Sequence, residues 1–523
     1  MHEVELVLVS LLVAVAALGA AARAANIPYP IVLVVGGLAL GFVPGIPDAE
    51  LAPDLVLVLF LPPLLYSAAF FANLHDLRRD LRSISLLAVG LVLATTCAVA
   101  IVAHALIDGL TWAAAFTLGA IVAPTDPLAA TAIARRQRAP RRVVSIVEGE
   151  SLINDGTALV AYKVAAAAAL GGGFSIVDAG LEFVLSATGG VLIGLAVGVL
   201  IAEIRRRLND IPVEITISLL SGYAAYLPAE ALHASGVLAA VTTGVYVGWK
   251  APRISSASMR LQGFAVWETL VFLLNALLFV LIGLQLPLIL EGLAGQSALA
   301  LIGQAIAISV TVTLTRIVWL NTSVFVIRAL DRRPQQRERR AGWRTRLIIG
   351  WSGMRGSVSL AAALALAPEF PQRDVVLLMT FAVILTTLVV QGLTLPALIR
   401  RLDVRDDGTE EREELLGRRA AVDVALVRIA ALESEQWTRD DTVERMRMAY
   451  EYRRRRLASR AGDGEDDGQD YEHRSRKYQK MVRSVLDAQR EELVRLRNGG
   501  AISNEVMHRL ERELDLEDER LEI

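Results

Sequence analysis

The sequence predicts an all-α polytopic membrane protein followed by a charged helical module. The first reason is the distribution of charge. Residues 401–523 hold 56 of the 108 charged side chains, so about 13% of the first 400 positions are charged and about 46% of the rest. Soluble globular domains are about 25% charged, so neither part has the composition of an ordinary soluble enzyme domain. We expect a transmembrane domain at residues 1–402 and a cytoplasmic tail at residues 403–523.

The second reason is the number of long apolar runs. A transmembrane helix needs about 20 mostly apolar residues to cross roughly 30 Å of hydrocarbon. We predict about thirteen such helices in two inverted six-helix repeats, for reasons given below. The apolar runs lie at residues 5–23, 29–46, 53–71, 84–107, 112–134, 143–169, 182–203, 213–231, 234–249, 265–290, 298–327, 345–367 and 374–399.

The third reason is the charge of the loops between these runs. Short cytoplasmic loops of membrane proteins collect lysine and arginine. Every second loop is basic, beginning with Arg23, whereas the intervening loops contain Arg373 as their only basic residue. This alternation predicts an odd number of spans in the plasma membrane, with the N-terminus outside and the C-terminal tail in the cytoplasm.

Composition and motifs argue against several other classes of protein. The net charge of −2 gives no reason to expect nucleic acid as a partner. The single cysteine, Cys97, allows neither a disulfide framework nor a thiolate zinc site. The sequence has no glycine-rich phosphate loop followed by lysine and no nucleophile elbow. We therefore expect a protein that is not an enzyme, that needs no cofactor and that has the lipid bilayer as a partner.

Two of the predicted spans are interrupted by helix-breaking residues. The fifth contains Pro124-Thr125-Asp126-Pro127, and the twelfth contains the glycine-rich stretch 350–357. If spans 1–6 and 8–13 form two repeats, the interrupted spans are the fifth member of each, and the repeats have inverted topologies. Paired interruptions at matching positions of inverted repeats indicate the midplane binding site of a secondary transporter.

The interruptions expose backbone groups that charged side chains can satisfy. Asp126 precedes Pro127, which places a favourable N-cap before a favourable first helical residue. Arg355 is placed to neutralise the opposite ends of the half-helices, which carry about half a unit of negative charge. We therefore expect Asp126 and Arg355 at the site.

The sixth span carries a carboxylate near the middle of the membrane. Asp155 lies about twelve residues, or roughly 18 Å, beyond the start of this span. Desolvation penalises the charged carboxylate there, so a proton and a hard cation compete for it, and this competition is in itself an exchange mechanism. Ser151 and Thr125 can add oxygen ligands, and Asn154 can add an amide that orients the site.

Other charged residues in the spans are expected to form ion pairs or to face a cavity. A charge inside the membrane is costly and needs a partner. For Glu150 we predict a structural salt bridge with Arg355. For Arg316 in the eleventh span and Glu268 in the tenth we expect a pairing role or a position facing the cavity.

Several stretches of the first 402 residues resemble one family, in order along the chain. They are FLPPLLY at 60–66, GAIVAPTDPLAATAI at 119–133, VEGESLINDGTALV at 147–160, LLNALLFVLIGLQL at 273–286, GMRGSVSLAAALAL at 353–366 and LVVQGLTLPALIRRL at 388–402. Together they resemble the monovalent cation:proton antiporters of the sodium/proton exchanger (NhaP-like) branch, bacterial type. The resemblance implies an NhaA/NhaP-like fold of thirteen helices with two broken, crossed helices, a homodimer, and elevator-like movement of a core domain.

The resemblance also implies roles for individual residues. Asp155 would be the carboxylate that binds the ion or the proton, with Asn154 as its neighbour. Relatives with Asn-Asp at these positions are generally electroneutral, which suggests one cation per proton. The remaining roles are those of the ion ligands Ser151 and Thr125, the half-helix partner Asp126, and the stabilising pair Glu150 and Arg355.

One position departs from the family pattern. Many relatives have an acidic residue after the LPPLL(F/Y) stretch, where this chain has Ser67. Ser67 is therefore a further candidate ligand, and its lack of charge bears on the selectivity among Na⁺, Li⁺ and K⁺.

The tail is predicted to form two or three amphipathic helices. Apolar positions at helical spacing lie among dense charges, and the stretch 461–470 has the composition of a solvated linker. Asn498-Gly499-Gly500 is expected to break the last hairpin. The sequence does not decide whether the tail binds a regulatory ligand.

The sequence thus predicts a secondary antiporter that exchanges a monovalent cation, Na⁺ or Li⁺, for protons by alternating access. Two alternatives stay open, namely K⁺/H⁺ exchange and a non-transporting ion or pH sensor that signals through the tail. Intact Asp126, Asp155 and Arg355 favour transport over sensing.

Overall fold

The computed structural model of the chain is helical. It describes residues 2–25, 27–43, 53–171, 176–208, 210–293, 295–330, 342–404, 406, 408–460 and 468–522. Helices account for 85% of the structure, and the described residues contain no strand. The prediction of an all-α protein is therefore confirmed.

Helices follow one another closely through the first 406 residues. In order they are α1 (His2–Ala25), α2 (Tyr29–Gly41), α3 (Pro53–Phe70), α4 (Leu74–Arg79), α5 (Leu81–Leu106), α6 (Trp112–Val122), α7 (Pro127–Arg136), α8 (Arg141–Ala169), α9 (Ile176–Arg207), α10 (Ile211–Ala231), α11 (Gly236–Ile254), α12 (Ala257–Gly292), α13 (Ala298–Leu330), α14 (Trp343–Trp351), α15 (Ser357–Leu364) and α16 (Arg373–Leu402). Within the described residues, each predicted apolar run falls on one helix or on two separated by a break. Two helices contain a π-helical turn, at Leu86–Leu91 in α5 and at Thr387–Gln391 in α16.

Several of these helices have the length and composition of membrane spans. Six stretches of the described chain meet both conditions: Leu81–Leu106, Trp112–Arg136, Val184–Arg207, Ala257–Gly292, Ala298–Phe325 and Arg373–Leu402. Shorter apolar stretches lie in α1, α2 and α3. A helix of 20 residues spans about 30 Å, so each of the six can cross the hydrocarbon of a bilayer.

Helix starts follow the expected capping chemistry. Thr111, Ser235 and Ser256 each precede a helix, and each side chain accepts a hydrogen bond from a backbone N–H of the first turn, at 3.1–3.2 Å. Such caps satisfy donors that have no partner inside the helix. The three residues therefore fix where α6, α11 and α12 begin.

Glycines allow neighbouring helices to approach closely. A Cβ atom added to Gly37 of α2 would lie 2.7 Å from the carbonyl oxygen of Val280 in α12. One added to Gly244 of α11 would lie 2.6 Å from the carbonyl oxygen of Tyr66 in α3. Small residues at such seams are typical of helix packing in membranes, where backbone approach replaces the hydrophobic effect.

Helix α8 lies at the centre of the first 406 residues. It contacts α3, α5, α6, α7, α11, α14 and α15, and most of its side chains from Val143 to Ala165 are buried. The two interrupted segments, α6–α7 and α14–α15, both touch it. The site described below is built from these five helices and from α13.

The chain divides into two compact units, Met1–Asp406 and Asp407–Ile523. The second unit contains α17 (Thr409–Leu432), α18 (Asp440–Arg460), α19 (Gly468–Asn498) and α20 (Asn504–Glu522). Four described helices thus replace the two or three that we predicted. The predicted break after Asn498 is present, and Arg490 of α19 joins α20 through Asp515 and Asp518, at 2.9 and 3.1 Å. Residues 461–467 of the predicted linker lie outside the described residues, and 468–470 begin α19.

Candidate functional site

Both predicted interruptions are present, and they lie against each other. The first separates α6 from α7 at residues 123–126, and the second separates α14 from α15 at residues 352–356. The backbone N–H of Asp126 donates to the carbonyl oxygen of Met354 at 2.8 Å. The two broken segments are therefore hydrogen-bonded to each other where their helical geometry stops.

Asp126 caps the N-terminal ends of two half-helices at once. Its Oδ1 accepts from the backbone N–H of Leu128 in α7 at 2.9 Å, as expected for an N-cap. Its Oδ2 accepts from the backbone N–H of Ser357 in α15 at 3.2 Å and from the Ser357 hydroxyl at 3.4 Å. One carboxylate thus faces the positive ends of both half-helix dipoles.

Arg355 donates hydrogen bonds to the carbonyl end of the first interruption. Its guanidinium donates to the carbonyl oxygens of Val122 at 3.0 Å, of Ala123 at 3.4 Å and of Gly353. Its own backbone N–H donates to the hydroxyl of Thr387, in the π-helical turn of α16, at 3.1 Å. The side chain is fully buried, so these carbonyls provide the polar surroundings that a buried cation requires.

Close approach at the crossing depends on Gly356. A Cβ atom on this residue would overlap the Asp126 carboxylate, far inside van der Waals contact. Because both Asp126 oxygens already accept hydrogen bonds from backbone donors, the carboxylate cannot move aside without losing a cap.

Substitution of Gly356 by alanine is therefore expected to reduce cation/proton exchange severely. Overpacking of this kind typically costs about 1–3 kcal/mol, and here it acts on the hydrogen bonds that hold the crossing. The measurement is thermal denaturation of the purified protein together with exchange in vesicles. Gly303→Ala is the matched control, since an added Cβ there meets nothing within 4 Å. Wild-type exchange and stability in Gly356→Ala would contradict this account of the crossing.

Glu150 pairs with Arg316 and not with Arg355. The two side chains form a bidentate ion pair, with Arg316 Nη2 at 2.8 Å from Glu150 Oε2 and Arg316 Nη1 on Glu150 Oε1, and both are 1% exposed. The predicted Glu150–Arg355 pair is therefore wrong in its partner. The physical reason is that the Arg355 guanidinium already donates to the carbonyl oxygens of Val122 and Ala123 at the first interruption.

Arg316 also donates hydrogen bonds at the second interruption. Its Nε and Nη2 donate to the carbonyl oxygen of Ile349, near the end of α14, at 3.2 and 3.1 Å. Each broken helix thus has its own arginine at the carbonyl end. For Arg316 the sequence predicts only a pairing role or a position facing the cavity. An arginine in the middle of a long apolar helix is the signal for a buried ion pair of this kind.

Four oxygen- and nitrogen-bearing side chains surround the first interruption. The Ser151 hydroxyl donates to the carbonyl oxygen of Thr125 at 2.7 Å, and the Asn154 amide donates to the Thr125 hydroxyl at 2.9 Å. The Thr125 hydroxyl in turn donates to Glu150 at 3.4 Å. The Asn154 amide oxygen is buried and has no hydrogen-bond partner among the described residues. The arrangement therefore contains neutral oxygen atoms that can coordinate a cation.

Asp155 differs from the other buried charges at this site. It is 7% exposed, and within the described part of the chain no donor lies within hydrogen-bond distance of its carboxylate. It lines a cavity of about 1820 Å³, together with Thr125, Asp126 and Ser151. A carboxylate in this position can bind either a proton or a cation that arrives through the cavity.

The cavity opens towards the face that carries the basic loops. Its rim includes four arginines from that face, and its lining residues come from nine helices. Ser67 of α3 also lines it, and its hydroxyl donates to the carbonyl oxygen of Leu64 at 2.9 Å within the same helix. The rim arginines are Arg23, Arg135, Arg136 and Arg400.

Comparison with known proteins identifies the family of this chain. The chain matches the family described as sodium/hydrogen exchanger, transmembrane, over residues 8–401. It is 35% identical to a protein of Mycobacterium bovis named as an uncharacterised Na⁺/H⁺ exchanger, over 94% of this chain and 91% of that one. It is 34% identical to the Na⁺/H⁺ antiporter ApNhaP of Aphanothece halophytica, over 78% of this chain and 76% of that one.

Two further comparisons concern ions and fold. A Bacillus subtilis protein named as a sodium, potassium, lithium and rubidium/H⁺ antiporter is 35% identical, over 71% of this chain and 58% of that one. The solved structure of the sodium proton antiporter MjNhaP1 from Methanocaldococcus jannaschii superposes with a TM-score of 0.58 at 20% identity, covering 76% of this chain and 99% of that one. This chain is accordingly a multi-pass membrane protein of the sodium/hydrogen exchanger family, a family of antiporters.

Proposed function

We propose that this protein exchanges Na⁺ or Li⁺ for protons across the plasma membrane by alternating access, with Asp155 as the group that both ions share. The observation that carries the proposal is the state of Asp155, a buried carboxylate that lines a wide cavity and receives no donor from the described residues. An isolated buried anion is costly, so it must bind a proton or a cation.

The other charges at the site support this assignment because they are already neutralised. Glu150 is paired with Arg316, and Asp126 and Arg355 lie at oppositely charged ends of half-helices. Among the charged groups at the two interruptions, Asp155 is thus the one whose charge is left for a transported ion. The protein itself neutralises the structural charges, whereas the transported cation or proton would neutralise Asp155.

The neighbouring oxygens would complete the cation site. Ser151 and Thr125 supply a hydroxyl and a carbonyl oxygen, and the unpartnered amide oxygen of Asn154 is a further donor of electron pairs to the cation. Ser67 can add its hydroxyl from α3. Hard cations prefer ligands of this kind.

A single carboxylate also supports electroneutral exchange. If Asp155 carries one cation in one direction and one proton in the other, each half of the cycle moves the same charge. Asn154 is neutral, so it does not add a second charge that would have to be balanced in the cycle. We therefore propose a ratio of one cation to one proton.

The wider arrangement is part of the same proposal. Residues 1–402 would form the exchanger domain with thirteen spans in two inverted repeats, and residues 403–523 a cytoplasmic tail. The N-terminus would lie outside, so that the basic loops face the cytoplasm and the cavity is open to that side. The protein would act as a homodimer in the bilayer.

Potassium is the second candidate cation. The specific observation in its favour is the name of the Bacillus subtilis relative, which includes potassium, lithium and rubidium. Ser67 also leaves the α3 wall of the cavity without a charge of its own. Both readings use the same site and differ only in the preferred ion.

Everted membrane vesicles provide the test. After a pH gradient is established, addition of NaCl or LiCl is expected to dequench a ΔpH-sensitive dye in vesicles that contain the protein, with KCl giving a smaller response. Vesicles from cells without the protein are the control. A response to KCl that equals or exceeds the response to NaCl would replace Na⁺ by K⁺, and no response to any of the three salts across pH 6.5–9 would contradict exchange altogether.

A further inference from the structure

A second carboxylate without a partner lines the cavity. Glu268 of α12 is exposed and belongs to the cavity lining. No donor among the described residues lies within hydrogen-bond distance of its carboxylate. A charge on a membrane-spanning helix is costly, and no structural ion pair offsets that cost here.

The other cavity carboxylates are already engaged. Asp76 pairs with Arg141 at 2.8 Å, and Glu148 pairs with Arg135 at 2.9 Å. Asp126 caps the two half-helices as described above. Among the described residues that line the cavity, Asp155 and Glu268 are therefore the two carboxylates without a donor.

The residue before Glu268 anchors α12 beside α3. Trp267 is 2% exposed, its indole N–H donates to the Ser218 hydroxyl at 3.0 Å, and its ring lies 5.6 Å from the ring of Tyr66 in α3. Glu268 and Ser67, the next residues on these two neighbouring helices, both line the cavity.

Glu268 lies nearer than Asp155 to the face that carries the basic loops. At 1.5 Å per residue, Glu268 lies about 5 Å beyond the start of its apolar run at 265, and Asp155 lies about 18 Å beyond the start of its run at 143. A cation that enters from the arginine-lined rim therefore meets Glu268 before it reaches Asp155.

We propose that Glu268 is a second cation-binding carboxylate, which holds the incoming monovalent cation on the α3–α12 wall and passes it to Asp155. This inference rests on the proposed function and assigns a further residue to it. The four rim arginines repel a cation, and an unpaired carboxylate beyond them offsets that repulsion.

The test is the dependence of exchange on Na⁺ concentration in vesicles containing Glu268→Gln. The apparent KM for Na⁺ is expected to rise about tenfold, the equivalent of about 1.4 kcal/mol, while the rate at saturating Na⁺ stays close to that of the wild type. The matched control is Glu291→Gln, which removes an exposed carboxylate at the other end of the same helix, away from the cavity. The double variant Ser67→Glu/Glu268→Gln returns a carboxylate to the same wall and is expected to recover most of the lost affinity.

A second readout separates binding from folding. The denaturation temperature of the purified protein without Na⁺ is expected to be equal in the wild type and Glu268→Gln, because no hydrogen bond is lost, and the Na⁺ concentration needed for stabilisation is expected to rise in the variant. An unchanged KM in Glu268→Gln, or failure of the double variant to recover it, would overturn the role of Glu268. If the wild type itself shows no exchange, the proposed function fails instead.

Discussion

Cation/proton exchange is expected to fall by about 100-fold or more when Asp155 is replaced by asparagine. The substitution keeps the shape of the side chain and removes the charge, so the cation loses its ionised ligand and the proton loses its acceptor. A hydrogen bond to a charged group contributes about 1.5–3 kcal/mol, and about 2.7 kcal/mol corresponds to 100-fold. Dye dequenching in everted vesicles on addition of NaCl is the measurement.

The control for this prediction is Glu148→Gln. Glu148 lies two turns before Asp155 on nearly the same face of α8, also lines the cavity, and forms a solvent-exposed pair with Arg135. Exposed pairs contribute about 0–1 kcal/mol, so exchange in this variant is expected to stay near the wild-type level. Asp155→Asn is expected to fold normally, because no donor of the described residues depends on its carboxylate. Full exchange in Asp155→Asn would remove the basis of the proposed function.

The second large effect is expected at the Glu150–Arg316 pair. Replacement of Arg316 by methionine leaves Glu150 charged and unpaired in a site that is 1% exposed. Breaking a buried ion pair by removing one partner costs about 3–5 kcal/mol. Arg316→Met is therefore expected to give little folded protein, with a markedly lower denaturation temperature for the fraction that can be purified.

A comparison of two double variants tests the pairing itself. Because Glu150 pairs with Arg316, Glu150→Gln/Arg316→Met is expected to recover much of the stability lost in Arg316→Met, with a coupling of about 1–3 kcal/mol. Glu150→Gln/Arg355→Met is expected to recover little, since the carbonyls of Val122 and Ala123 lose their donor whatever occupies position 150. The reverse order of recovery would show that Glu150 acts with Arg355.

The sequence was sufficient to predict where the helices are interrupted. Pro124, Pro127 and the glycines of 350–357 act through local backbone geometry, which does not depend on the rest of the fold. The same holds for Asp126 as a cap, because a cap and its first helical residue are neighbours in sequence. Its second role, at Ser357, requires the two interruptions to meet, and this contact is separated by 231 positions.

The partners of the buried arginines could not be predicted in the same way. Arg316 and Arg355 are both arginines at membrane depth in the second half of the chain, and spacing along the chain does not distinguish them as partners of Glu150. The choice depends on how α13 is rotated about its axis and on which carbonyls lie at each interruption. These are properties of the packed helices. The contact of Arg316 with Ile349 shows this, because the carbonyl becomes available only where α14 ends.

The cavity in front of Asp155 has a consequence for the hydration of the cation. A volume of about 1820 Å³ has room for water molecules on the order of sixty, at about 30 Å³ each. A cation can therefore enter the cavity while it is still surrounded by water. Under the proposed function, the cost of dehydration is then confined to the last few ångströms, where Ser151, Thr125 and Asp155 would replace water oxygens. Ions that differ in how strongly they hold water would be separated at that final exchange of ligands and not along the way.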